Sequence, residues 1–290
     1  MMMIRVCILS MICLLCVPKG NAQEVVFPLP TVPDSLREPQ QRLVYVLDHY
    51  WENYAWNDTT TLNQTVGEQG LVDFLDLLQY ADSLTADRGA AAFVSQAFTT
   101  DGQRQHYAEL LEHYLYDRHS PVRNDLVYAH LLRHFTTPQA MPDETERQRL
   151  LFRLQNISKN QVGTIAADFS LRHVDVLALE SQGTERLKAA KVKGAKRLYD
   201  VVSPLTLLMF YDPDCEDCHV AEAQMAREPL LHDARLTLIR VQPKEVGDRY
   251  FVHFTPSFYL LDADKRVLVK NASLEQVLRA LFPEPNNESF

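Results

Sequence analysis

The chain has 290 residues, five cysteines and a net charge of −9 with neutral histidines. Its acidic balance, without a concentrated basic surface, excludes nucleic acid as the expected partner. The length suits two domains better than one, and no segment beyond the N-terminal leader is apolar enough to span a membrane.

Arg5 opens a short basic region, and Val6 to Val17 is almost wholly apolar. That run is too short for a bilayer-spanning helix. It ends in Pro18-Lys19-Gly20-Asn21-Ala22, with small residues at Gly20 and Ala22. Residues 1–22 therefore read as a secretory signal peptide cleaved after Ala22, which sends the protein to the periplasm or cell envelope. A lipid anchor at Cys16 is the minority reading, because Leu15 stands where a small residue is expected. Cys7, Cys13 and Cys16 leave with the leader, so only Cys215 and Cys218 remain. Loss of Arg5 and Lys19 takes the net charge from −9 to −11.

Prolines at 28, 30, 33 and 39 predict an extended lead-in over Gln23 to Pro39. From there to about Ser158 the apolar residues keep helical spacing. The groups are Leu43 to Tyr54, Leu71 to Leu78, Ala92 to Ala97, Tyr107 to Leu115, Leu126 to Phe135 and Leu150 to Leu154. Ser120-Pro121 is a helix-start signal, and so is Pro142 to Glu146. About six helices are expected, packed as a bundle over residues 23–158. Tyr50, Trp51, Tyr54 and Trp56 form an aromatic cluster that fits core filling better than a partner groove.

The pattern changes near Asn160. Val162 to Leu171 reads as a loop entering a strand, and the basic stretch Arg186 to Arg197 as a solvated hairpin or loop. Strands are predicted at Pro204 to Tyr211, Leu236 to Val241, Ser257 to Leu261 and Arg266 to Val269. Helices are predicted at Glu216 to Arg227, Lys244 to His253 and Leu274 to Leu281. Alternating strands and helices imply an α/β sandwich over 159–283, with 284–290 as a tail.

The two remaining cysteines form Cys215-Glu216-Asp217-Cys218, between a predicted strand and a predicted helix. A disulfide over so short a loop adds little stability, which favours a redox pair over a structural bond. A helix N-terminus stabilises a thiolate at Cys215, and Cys218 sits one turn inward. The exposed sulfur would attack and the shielded one resolve the mixed disulfide. Asp212, Asp214, Glu216 and Asp217 surround the first sulfur and oppose its negative form. That crowding predicts a potential nearer about −270 mV than about −120 mV, a reductase rather than a strong oxidant.

Leu207 to His219 resembles the active-site strand and helix start of thioredoxin-like proteins. Phe254-Thr255-Pro256-Ser257 to Asp262 resembles their cis-proline segment, and Gly163 to Phe169 the entry of the secreted branch used in cytochrome maturation and peroxiredoxin-like proteins. His49 to Tyr54 and Glu112 to Asp117 resemble an uncharacterised helical module that precedes such domains in secreted bacterial proteins. The resemblance implies an N-terminal all-α bundle followed by a thioredoxin-like sandwich. It implies Cys215 and Cys218 as catalytic thiols, a cis bond at Thr255-Pro256, and a substrate-binding edge at Phe254, Thr255 and Pro256.

No dissociable cofactor and no metal is expected. The partners would be protein thiols or disulfides and an electron donor, with a further protein partner for the helical half. Glu222 is a minority candidate for a proton relay to Cys218, because the acidic residues many relatives keep fall here on Met209 and Ala221. Tryptophan, usual before the first cysteine, is replaced by Asp214. Cys215, Cys218, His219 and His253 would suit copper or zinc, but copper-delivery relatives space their cysteines by three residues. His130 and His134 lack the glutamate of a metalloprotease helix, and Asp212 argues against a peroxidatic site. The alternative to an oxidoreductase is a thioredoxin-fold scaffold or binding protein without turnover.

Overall fold

The computed structural model describes residues 26–58, 60–172, 174–178, 188–189, 195–228, 231 and 236–282. The expected signal peptide, Cys16, most of the run Arg186 to Arg197 and the tail 284–290 lie outside these residues.

Six helices occupy the first half: α1 (Pro39–His49), α2 (Thr61–Leu78), α3 (Ser83–Ala97), α4 (Asp101–Leu115), α5 (Asp125–Phe135) and α6 (Glu144–Ile157). Thr60, Asp82, Thr100, Asn124 and Asp143 cap α2 to α6, each accepting a backbone amide. Such a cap contributes about 1 kcal/mol.

Two predicted boundaries move. The periodic run reaches Tyr54, yet α1 stops at His49 and the next residues form turns, with the Tyr54 amide bonded to the Trp51 carbonyl. Tyr50, Trp51 and Tyr54 are all buried there; tight turns bury rings at spacings that imitate a helix. Ser120-Pro121 does not open α5. Asn124 takes the amides of Leu126 and Val127 instead, while the Ser120 hydroxyl donates to the Tyr114 carbonyl at 2.5 Å.

The aromatic cluster is the core of this half. Phe27, from the extended lead-in, stacks on Tyr50 and Tyr54 at 5.0 and 5.6 Å. It lies so close to α2 that a Cβ at Gly70 would fall 2.1 Å from its ring. Only glycine allows that approach.

The second half is built from β1 (Asp175–Ala178), β2 (Lys188–Ala189), β3 (Leu205–Phe210), α7 (Glu216–Arg227), β4 (Leu236–Val241), α8 (Pro243–Val246), β5 (Ser257–Leu261), β6 (Val267–Ala272) and α9 (Leu274–Leu281). They form one mixed sheet in the order β2-β1-β4-β3-β5-β6. β3 runs parallel to β4 and antiparallel to β5. Its residues alternate between two cores. Leu208 and Phe210 meet Phe169, Tyr250 and Tyr259, whereas Leu207 and Met209 meet Cys218, Met225 and Val277 of α7 and α9. A strand buried on both faces is a continuous apolar run, which is why β3 was legible. Of the helix expected over Lys244 to His253, the α-helical part ends at Val246, where Gly247 at φ +55° turns the chain into one 3-10 turn, Gly247–Arg249. No helix among the described residues is long and apolar enough to cross a membrane.

A buried polar seam joins the halves. The Asp125 carboxylate, at the start of α5, receives Arg123 Nη2 at 2.9 Å and Asn271 Nδ2 at 3.0 Å, with Lys270 Nζ 3.5 Å away. Arg123 Nη1 also donates to the Asn271 carbonyl at 2.6 Å, and Lys270 Nζ to the carbonyl of Ile157. Burial is the largest influence on Lys270 and pulls its ammonium down from 10.5 to about 8. In the unfolded chain the amine keeps its proton to about 10.4. From pH 8 upward the unfolded state thus binds more protons, and folding gains stability as pH rises. Against Lys270→Met, the wild type should gain about 1–3 kcal/mol between pH 7.5 and 10 in urea titrations. Parallel pH profiles would contradict the burial.

Candidate active site

β3 carries the chain to Tyr211, whose amide bonds the Val241 carbonyl at 3.0 Å. A tight turn follows. The Asp212 carboxylate accepts the Asp214 amide at 3.0 Å, and the Asp212 carbonyl accepts the Cys215 amide at 3.1 Å. Aspartate holds such turns through its own side chain. The turn ends with Cys215 as the N-cap of α7.

The two sulfurs are unequal. Cys215 is half-buried, whereas Cys218 is 1% exposed, and both are free thiols. The Cys218 amide donates to Cys215 Sγ at 3.2 Å. An amide and the positive end of a helix dipole both favour negative charge on that sulfur. Burial, followed by the adjacent Cys215 sulfur, pushes the Cys218 thiol up from 9.0 to about 11.

The Thr255–Pro256 bond is cis, and the Thr255 carbonyl lies 3.5 Å from Cys215 Sγ. The fold thus brings Cys215, Cys218 and Thr255-Pro256 together from β3, α7 and the loop before β5. Phe254 stands beside them, with Arg123 and Arg118 guanidiniums 5.1 and 5.6 Å from its ring centre. Glu222 is placed differently from the relay expectation: its carboxylate is held by Arg240 Nη1 at 2.7 Å.

The four carboxylates around Cys215 are not equivalent either. Asp212 is spent on the turn, and Asp214 and Glu216 face solvent. Asp217 pairs with Arg118 Nη2 at 3.2 Å. Arg118, Arg123 and Tyr116 were not identified from sequence. They sit in the loop between α4 and α5, and Arg118 is 99 positions from Asp217. No local pattern marks such a contact.

Four of the described histidines pack on rings or form polar contacts. His219 Nε2 meets the Pro213 carbonyl at 3.1 Å, and the His253 ring packs on Tyr116 at 4.2 Å. His130 and His134 both reach Asp87, at 3.4 and 3.2 Å. Among the described residues, no three His, Cys, Asp or Glu side chains are grouped to hold a metal ion. A cleft of about 600 Å³ between α4 and α6 is lined by Arg104, Glu112 and Arg149, remote in sequence from the cysteines.

A family model described as a domain of unknown function, DUF5106, matches residues 16–160. The chain belongs to that family. The match takes in the six helices and stops before the sheet, so the family itself assigns no chemistry to the cysteines. The chain is similar to the crystal structure of a thioredoxin-like protein from Bacteroides caccae ATCC 43185, with 24% identity and a TM-score of 0.68, over 89% of this chain and 99% of that one. The fold is thioredoxin-like. A conserved protein of unknown function from Bacteroides fragilis shares 23% identity over 42% of this chain and 98% of its own, at a TM-score of 0.29. No curated protein matches.

The raised Cys218 thiol has a signed consequence. A folded-state value above the unfolded one contributes stability that is complete below about pH 8.5. That stability disappears as pH rises through about 11. The reduced wild type should lose stability relative to Cys218→Ser between pH 9 and 11. At pH 8, iodoacetamide should modify Cys215 well before Cys218, read by peptide mass spectrometry. Equal labelling of the two would contradict the burial.

Proposed function

We propose that this protein is a thiol–disulfide oxidoreductase that works as a reductase through Cys215 and Cys218. One observation carries the reading: a half-buried sulfur caps a helix beside the Thr255 carbonyl, with its partner shielded one turn inward.

In the proposed cycle the Cys215 thiolate attacks a substrate disulfide. A bond forms between Cys215 and one substrate sulfur, the substrate S–S bond breaks, and the leaving sulfur takes a proton. Cys218 then loses its proton and attacks Cys215 Sγ, releasing the second substrate thiol. The substrate gains two electrons and the enzyme becomes the Cys215–Cys218 disulfide. A dithiol donor reverses that oxidation by the same exchange. No dissociable cofactor enters these steps. The half-buried backbone at Thr255 would pair with an extended substrate segment as a strand edge does, with Phe254 and Pro256 beside it.

The proposal extends to location and organisation. The apolar leader ending at Ala22 supports export to the periplasm or cell envelope, where disulfides persist. The separate aromatic core of the helices supports a helical domain over 23–158 that precedes a thioredoxin-like domain over 159–283.

Purified wild-type protein should accelerate reduction of insulin by dithiothreitol, and Cys215→Ser should return the rate to the uncatalysed level. Cys218→Ser should accumulate mixed disulfides, visible as bands removed by reductant. A protein equally inactive with and without Cys215 would instead support a scaffold.

A further inference from the structure

Asp217 lies in the first turn of α7, two residues after Cys215. Its charge suits the helix dipole but opposes a thiolate beside it. The partner of that carboxylate comes from the helical half, where Arg118 Nη2 meets Asp217 Oδ2 at 3.2 Å. The same guanidinium lies over the Phe254 ring, at a cation–π distance of 5.6 Å. One side chain therefore touches both walls of the site, the Cys-x-x-Cys turn and the residue before Thr255.

The loop that carries Arg118 is held at both ends. Tyr116 packs against His253 at 4.2 Å, and Arg123 donates to the Asn271 carbonyl at 2.6 Å. Asn124 then caps α5, and Asp125 enters the buried seam. Such anchoring lowers the entropy cost of keeping an exposed arginine in one place.

We propose that Arg118 is a positioning residue of the redox site, contributed by the helical half. The inference rests on the disulfide-exchange reading above. Arg118 offsets the charge of Asp217, which lies two residues after the attacking sulfur in the same helix turn. It also holds Phe254 as a wall of the substrate groove. The helices thus belong to the active site and are more than an appended module. Because Arg118 and Asp217 are 43% and 67% exposed, the effect is modest. An exposed pair is weak, because water and salt screen it.

The test uses the reduced full chain and the rate of Cys215 modification by iodoacetamide, an uncharged probe, between pH 6 and 9. Arg118→Ala should slow modification at pH 7 about two- to fivefold and move the profile to higher pH. Arg118→Lys should keep most of the wild-type rate. Asp217→Asn should speed modification, and adding Arg118→Ala in that background should cost less than it does alone. The last comparison separates charge pairing from general loosening. An unchanged Arg118→Ala rate, or the same loss with and without Asp217, overturns the proposal. Should Arg118→Ala fail to fold, Arg118→Gln replaces it in both backgrounds, and an unchanged rate or the same loss with and without Asp217 overturns the proposal. The labelling rate does not depend on turnover. Coupling without insulin reduction would therefore sink the oxidoreductase reading and leave the Arg118 placement standing.

Discussion

Asp125 is a carboxylate at the junction of two cores, with its side chain only 6% exposed. A charge taken out of water survives only when paired and fully hydrogen-bonded. Here Arg123, Lys270 and Asn271 surround it, and two of the three come from β6. Removing one member of such a group typically costs about 3–5 kcal/mol, because the rest remain buried and uncompensated. The seam is thus directional where apolar packing is not. It fixes the register of α5 against the sheet edge, and with it the loop from Tyr116 to Asn124.

That loop connects stability to chemistry. The thioredoxin-like half already contains the strand, turn, helix start and Thr255-Pro256 segment of the site. The helical half adds cationic and aromatic groups against His253, Phe254 and Asp217. The acidic environment of the Cys-x-x-Cys turn is therefore partly neutralised by residues distant in the chain. Sequence alone shows four carboxylates near Cys215. The folded molecule uses one in a turn, pairs another with arginine and leaves two to solvent, where water and salt screen them.

Much of the fold could be read along the chain because its signals are local. β3, α7, β4, β5 and α9 occur where apolar runs and helical periodicity place them. Periodicity fails where it reports burial and not conformation. Tyr50, Trp51 and Tyr54 are as buried as a helix face, yet they lie in turns after α1. Cap chemistry fails where two signals compete, as when Asn124 starts α5 and Ser120 bonds backwards. Glu222 shows the limit for single side chains. The resemblance makes it a minority candidate for a relay, and only the fold shows that Arg240 on β4 holds its carboxylate.

The sequence by itself determined the sulfur pair at a strand-to-helix junction, the second segment at Thr255-Pro256, and the change from helices to an α/β sheet near Asn160. The first and third are written in short spacings and in the period of apolar residues, and the second in a resemblance to thioredoxin-like proteins. Only the tertiary structure decided which charges face which. The pairs Arg118–Asp217, Lys270–Asp125 and Arg240–Glu222 join residues from separate elements. Electrostatic partnership depends on distance in space. A chain records order along its length, and an arginine in a polar loop reads the same whether it meets water or a carboxylate beside the cysteine pair.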